Sequence, residues 1–266
     1  MAILNITPDS FADGGRRVDP AVAIADAEAL IAGGVDLIDI GGESTRPGAQ
    51  PVSADEEWRR IAPVIDGVRR HSDIPISIDT YKAAVAERAL DRGADIINDI
   101  SALVYEPALA EVVARSGAAI ILMHNRGRSA DMYGRATYGD VVAEMTEELR
   151  TCDAAARAAG IADDRILIDP GLGFAKRASQ SMAALAGLAR LGVLNRPIVS
   201  GPSRKSFLTL ATGARSPDAR LWGTAAAVTV SVLLGAHIVR VHDVAEMTDV
   251  VRVADLVRAH GEPASL

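Results

Sequence analysis

The side chains able to do chemistry in this 266-residue chain recur at one kind of position, the end of a short Ile, Leu and Val run. Asn5 follows Ile3-Leu4, Asp39 and Glu43 sit around Ile40-Gly41-Gly42, and Asp79 follows Ser77-Ile78. Asn98-Asp99, Met123-His124, Asp169 and Arg240-Val241-His242 close later runs, and another run leads into Ser203-Arg204-Lys205-Ser206. Singly, Asp39, Asp99 or Asp243 reads as a cap or a strand-end hydrogen bond. Together they describe a polar pocket. Asp79 and Asp169 offer acceptors to a donor-rich ring, while Arg46, Arg204, Lys205, Arg240 and His242 offer donors to an anion. The expected ligand is donor-rich at one end and phosphate-like at the other.

These residues need a scaffold that gathers strand ends. The runs begin at Ile3, Val35, Ile74, Ala94, Ala118, Arg165, Arg196 and Ala236, and are continuous enough in aliphatic residues for parallel strands buried on both faces. Helical patterns lie between them. Asp19-Pro20 opens one that stops at Gly33-Gly34, and Ser216-Pro217 opens another that stops near Gly235. Ser53 and Glu56 form a capping box ahead of Ile61, Val64, Ile65 and Val68 on one helical face. Eight alternations without a linker predict a single-domain α/β fold over residues 1–266, a (β/α)8 TIM barrel with its active site at the C-terminal ends of the strands. The loops at 6–17 and 43–52, with Gly14, Gly15 and Gly48, are candidate lids that order over substrate.

Composition narrows the function. With 28 basic and 35 acidic residues the net charge is −7, and only 3% of residues are aromatic, which excludes a polyanion binder or a stacking platform for nucleic acid. The opening Met1-Ala2-Ile3-Leu4-Asn5 has no basic signal-peptide region, and Ala225 to Val239 is too short and too interrupted to span a membrane. The single cysteine, Cys152, fits a reducing compartment, so a cytoplasmic protein is expected. Gly201 to Ser206 lacks the spacing of a P-loop or a nucleophile elbow, and the five histidines lack zinc-protease spacing. A magnesium ion brought in by a substrate diphosphate fits better than a protein-only metal site. Leu221 to Leu234 is apolar on nearly every face, more than a peripheral helix needs, and predicts a homodimer.

Taken together, Ile3-Leu4-Asn5-Ile6-Thr7-Pro8-Asp9-Ser10-Phe11, Asp39 to Gly48, Ser77 to Lys82, Ile97-Asn98-Asp99, Leu122-Met123-His124, Ile168-Asp169-Pro170-Gly171, Ser203 to Phe207 and Arg240 to Asp243 resemble dihydropteroate synthases from the first strand to the last. The resemblance implies condensation of 6-hydroxymethyl-7,8-dihydropterin diphosphate with p-aminobenzoate to give dihydropteroate and diphosphate. It implies that Asp79, Asn98, Asp169 and Lys205 hold the pterin, with Met123 and Phe174 as apolar walls. Asn5, Arg46, Arg240 and His242 are then assigned to the diphosphate, and Asn5 also to Mg2+. Phe11, Thr45, Pro47 and Ser203 are placed by p-aminobenzoate, with Asp79, Lys205, Arg240 and His242 as the catalytic set. A dimer, carbon–oxygen cleavage ahead of amine attack, and sulfonamide sensitivity follow from the same resemblance. The chain departs from the family pattern at Ala12, Ala175, Gln180-Ser181 and Pro202, and starts at the first strand where a short preceding segment is usual. Two other readings are a noncatalytic pterin-binding paralogue and a folate-dependent barrel methyltransferase, the second disfavoured by the Ser203-Arg204-Lys205-Ser206 block.

Overall fold

The computed structural model describes residues 1–7, 19–46 and 48–261. It contains eight strands among them: β1 (Ala2–Asn5), β2 (Ile38–Gly41), β3 (Ile76–Asp79), β4 (Ile96–Asp99), β5 (Ala119–Met123), β6 (Ile166–Asp169), β7 (Val199–Ser200) and β8 (Ile238–Val239). The helices between them are α1 (Pro20–Ala32), α2 (Ala54–His71), α3 (Ala83–Leu90), α4 (Ala108–Ser116), α5 (Val141–Ala158), α6 (Ala178–Ala186), the short α7 (Thr209–Thr212), α8 (Leu221–Leu233) and α9 (Val244–His260). All pairings are parallel. β1 to β6 form one sheet and β7 with β8 another, and bridges Ile168↔Ile198 and Ala2↔Val241 join the two into a closed barrel. The predicted (β/α)8 barrel is the observed fold.

The alternation along each strand separates two environments. Leu4, Ile38, Ile40, Ile76, Ile78, Ile97, Ile120 and Leu122 pack in the main core with Val64, Ile65 and Val68 of α2 and Val85 of α3. The barrel floor is a smaller apolar plug of Met1, Leu37, Ile121 and Val199. Above it the register sets Asn5 beside Gly41, Gly41 beside Asp79, and Asp79 beside Asn98. Met123 is level with Asp169. One row of the ladder therefore delivers the polar side chains of several strands to one mouth.

Helix ends follow local chemistry. Asp19 caps α1 through Ala21 N, with Pro20 in its first turn. Ser53 caps α2 by accepting from Glu56 N, but the expected reciprocal bond of a capping box is replaced, since the Glu56 carboxylate accepts from Arg59 and Arg60 instead. Pro217 opens a 3-10 turn, Pro217–Arg220, before α8 begins. Asp99 is a turn cap, accepting from Ser101 N and Leu103 N. No helix among the described residues is long and apolar enough to cross a membrane.

Candidate active site

A cavity of about 470 Å³ opens at the C-terminal mouth of the barrel. Asn5, Asp79 and Arg240 reach it from strand ends, and Thr45, Arg46, Phe174, Ser203, Lys205 and His242 from the loops. Asn98, Met123 and Asp169 are buried at strand ends below this lining. Phe11 and Pro47, assigned to the aryl pocket, lie outside the described residues, as does the first candidate lid from residue 8 onward.

At the centre, Arg240 Nε donates to Asp39 Oδ2 at 2.6 Å and Nη2 donates to Asp79 Oδ2 at 2.9 Å. Asn98 Nδ2 also donates to Asp39 Oδ2, at 3.1 Å. Asp39 is thus an internal anchor for Arg240 and Asn98, not a cap, and its Oδ1 is buried with no partner among the described residues. Asp79 Oδ1 is buried with no hydrogen-bond partner among the described residues. Burial pushes the Asp79 carboxyl up to about 7, the Arg240 charge opposing and the Asp39 charge reinforcing. A ligand that donates hydrogen bonds to Asp79 would restore its ionised form. Asp169, buried, is also raised by desolvation, against the charge of Lys205 and a 2.6 Å hydrogen bond from Gly171 N.

Lys205 extends over the Phe174 ring, 4.5 Å from its centroid, and donates to the Leu172 carbonyl. Burial lowers its ammonium to about 8 while Asp169 holds it up. The neighbouring Arg204, expected to serve an anion, has another role. Its guanidinium is bound to Asp243 and, at 2.7 Å, to Asp218, so it ties the β7 loop to the start of α9. Asp243 is correspondingly an ion-pair partner and makes no side-chain cap.

The loop after β6 rests on a group that sequence reasoning passed over. Lys176, 1% exposed, donates to the carbonyls of Gly171 and Phe174 at 3.2 Å each, and lies 2.7 Å from His124 Nδ1. Burial lowers its ammonium to about 7, and the amine is a buried donor around which the loop carrying Phe174 folds. Gly171 is obligatory there: its φ is +62°, and a Cβ would stand 2.0 Å from the His124 carbonyl oxygen. Ala175 adopts φ +46°, a strained conformation for a residue with a Cβ. Ser181 Oγ accepts from Gly173 N, and Gln180 bonds Arg177 N and the Ala136 carbonyl, so the departure at this pair leaves the loop tethered. Pro202 loses a donor, yet its carbonyl accepts from Lys205 N at 3.4 Å.

The loop after β5 supplies a wall that was also missed, Met132 and Tyr133, with the Tyr133 hydroxyl donating to the Gly173 carbonyl at 3.3 Å. No aliphatic run flags these residues. The same loop receives Gly48 N at Ser129 O, 2.9 Å, so the second candidate lid is pinned at this point. Behind it a buried cluster of Lys82 with Glu43 and Glu57 fixes the strand end from which that loop leaves, and Glu43 accepts from Val52 N.

With this geometry in place, the model of the pterin binding enzymes matches residues 1–242. The chain is 46% identical over 255 residues to the dihydropteroate synthase of Synechocystis sp., a match covering 96% of this chain and 88% of that protein. The chain belongs to the dihydropteroate synthase family. Its Escherichia coli relative of that name is 41% identical over 259 residues, 96% of this chain and 90% of that one. Among solved structures of the family, the Yersinia pestis enzyme with a sulfonamide drug superposes with a TM-score of 0.93 at 38% identity, covering 97% of this chain and 94% of the other. The Xanthomonas albilineans enzyme with 4-aminobenzoic acid gives 0.91 at 42% identity, with 98% and 93% covered.

Behind the cavity, His124 is buried at the end of β5. Burial and the Lys176 charge push its imidazole down to about 4, against the Glu148 carboxylate 3.0 Å from Nε2. Below pH 6.5 the unfolded chain takes up this proton and the folded one does not, so His124 contributes stability that is present above 6.5 and lost as pH falls through about 4. In urea unfolding at stepped pH, His124→Gln should flatten the stability loss between pH 6.5 and 4 by roughly 3 kcal/mol relative to the parent.

Proposed function

We propose that this chain is a dihydropteroate synthase, a transferase that joins 6-hydroxymethyl-7,8-dihydropterin diphosphate to p-aminobenzoate with release of diphosphate. The observation that carries the reading is one cavity at the barrel mouth where the buried Asp79 carboxylate, with an oxygen lacking a partner among the described residues, meets Arg46, Lys205, Arg240 and His242. Asp79 and Asp169 accept from the donor-rich pterin edge, with Asn98 beside them and Met123, Phe174 and Lys205 enclosing the ring. Arg46, Arg240 and His242 take the diphosphate. Two of Arg240's nitrogens are committed to Asp39 and Asp79, and Nη1 is the remaining one. Thr45 and Ser203 border the position of p-aminobenzoate, with Phe11 and Pro47 assigned there from sequence alone.

The chemistry these groups favour is electrostatic. As the carbon–oxygen bond breaks, its electrons leave with the diphosphate, and the positive charge left on the pterin methylene faces the Asp79 carboxylate. The arylamine then attacks that carbon and loses a proton. No described side chain is set as a nucleophile, which suits a mechanism in which cleavage precedes attack. No group of three or more His, Cys, Asp or Glu residues among the described ones could hold a metal ion. Asn5, in the cavity beside Asp79, fits a magnesium ion that keeps its waters and is carried mainly by phosphate oxygens. Bound there, the ion would neutralise charge on the departing diphosphate. The folate route would place this reaction in the cytoplasm, and Cys152 is a free thiol, in keeping with a reducing compartment.

A homodimer is part of the proposal. Val230 and Leu233 of α8 and Val253, Leu256 and Val257 of α9 are exposed apolar side chains, and Trp222 at the start of α8 is 81% exposed. An apolar groove runs between the two helices, lined by Leu233, Val250, Val253 and Val257. Contiguous exposed apolar side chains of this kind mark protein–protein contact surfaces. Leu256→Glu should shift the mass seen by light scattering at micromolar concentration from dimer to monomer.

Purified protein with both substrates and magnesium should form dihydropteroate and diphosphate in equal amounts. Pterin binding with no product would favour the noncatalytic paralogue instead. A sulfonamide should raise the apparent KM for p-aminobenzoate at unchanged kcat, as expected where drug and substrate share a pocket.

The two ends of the pocket separate by mutation. Asp169→Asn turns an acceptor into a partial donor and should weaken free pterin binding by about tenfold or more, measured by calorimetry. Arg240→Ala should act mainly on the diphosphate-bearing substrate.

A further inference from the structure

We propose that Ser203 is a positioning residue that fixes His242 as the neutral tautomer carrying its ring proton on Nε2, making this histidine a hydrogen-bond donor, and not an acid, toward the anionic part of the ligand. The backbone N–H of His242 donates to Ser203 Oγ at 3.1 Å, and the same Oγ lies 2.9 Å from His242 Nδ1. A hydroxyl has one proton and two lone pairs. The backbone N–H occupies one lone pair. If Nδ1 carried the ring proton it would take the second, leaving the Ser203 hydroxyl proton, on a residue only 4% exposed, with no acceptor among the described residues. If Ser203 donates to Nδ1, every group is satisfied. The ring proton is then on Nε2, and the ring lines the cavity.

The electrostatic surroundings agree. Arg46 on the β2 loop, Arg204 and Lys205 on the β7 loop, Arg220 before α8 and Arg240 at the end of β8 all line the cavity with His242. Asp243 is the acidic neighbour, and Arg204 already holds it. Burial and the Arg240 and Arg204 charges drive the imidazole down to about 3. These surroundings favour the neutral imidazole at neutral pH, and a neutral Nε2–H can bind a diphosphate oxygen as a donor. On this proposal His242 keeps its proton, and the leaving group departs with both electrons of the broken bond.

The test is a long-range proton–nitrogen correlation spectrum of protein carrying 15N-histidine at pH 7, with the His242 signals identified by their loss in His242→Gln. The expected result is a protonated-type Nε2 and an unprotonated-type Nδ1 in the parent. Ser203→Ala should give a mixture of tautomers and Ser203→Thr should restore the single one. A protonated Nδ1 in the parent, or an unchanged spectrum in Ser203→Ala, overturns the proposal. The kinetic arm rests on the reaction proposed above: Ser203→Ala should raise the KM for the pterin diphosphate by about five- to tenfold. A rise confined to the KM for p-aminobenzoate would overturn the link to the anion. A parent that makes no dihydropteroate defeats the reaction and leaves the spectrum to decide the tautomer.

Discussion

The structure depends on a cation held inside the barrel between two carboxylates. Arg240 reaches Asp39 and Asp79 across 201 and 161 residues of chain, so the last strand is bound to the second and third through the interior. The backbone bridge Ala2↔Val241 closes the same seam. Burial alone would lower the Arg240 guanidinium, but the charges of Asp39 and Asp79 more than offset this and raise it. Removing one partner from such a group leaves an uncompensated buried charge, which costs about 3–5 kcal/mol where it has been measured. The arrangement also sets the state of the pocket. Arg240 satisfies one oxygen of each carboxylate and leaves a buried oxygen on Asp39 and on Asp79, and of the two residues Asp79 lines the cavity where a ligand can donate to it. Closure of the barrel and readiness for a ring are properties of one ion triad.

A second buried donor, Lys176, does for a loop what Arg240 does for the strands. Lys176 gathers carbonyls that a loop would otherwise give to water, and its contact with His124 couples the β6 loop to the end of β5. Since His124 Nδ1 accepts from that amine, its ring proton is on Nε2, facing Glu148. Both cavity loops thus use a histidine in a set tautomer, His124 through a lysine and His242 through a serine. Rigid placement of this kind matters for a site whose work is electrostatic, because dipoles already in position need no rearrangement during reaction.

The barrel was legible because its signal is repeated: eight aliphatic runs, each ending in a polar residue, leave little choice of topology. Individual bounds were less so. The run beginning at Val35 yields a strand only from Ile38, since Gly33, Gly34 and the turn after α1 use the intervening backbone. The strand-end residues were found for the same reason that the strands were. Lys176, Met132 and Tyr133 lie in loops, where no periodicity marks which side chain turns inward. Arg204 was misread because sequence shows a cation beside a basic block but not Asp218 and Asp243 folding back to claim it. The half-formed cap at Ser53 has a similar origin, as Arg59 and Arg60 compete for Glu56 at helical spacing.

The departures from the family pattern gain meaning from these supports. Ala175 holds a left-handed conformation that costs about 1–2 kcal/mol for a residue with a Cβ. It is fixed from both sides: Lys176 binds the preceding carbonyl, and the Tyr138 hydroxyl donates to Ala175 O at 3.0 Å. Ser181, fully buried, holds Gly173 from below. A loop restrained at Gly171, Gly173, Phe174 and Ala175 can absorb one strained residue without moving Phe174, because the strain is opposed by bonds to parts of the scaffold that do not share it. The same substitution on a loop without the lysine would be free to relax, and the cavity wall that Phe174 forms would relax with it.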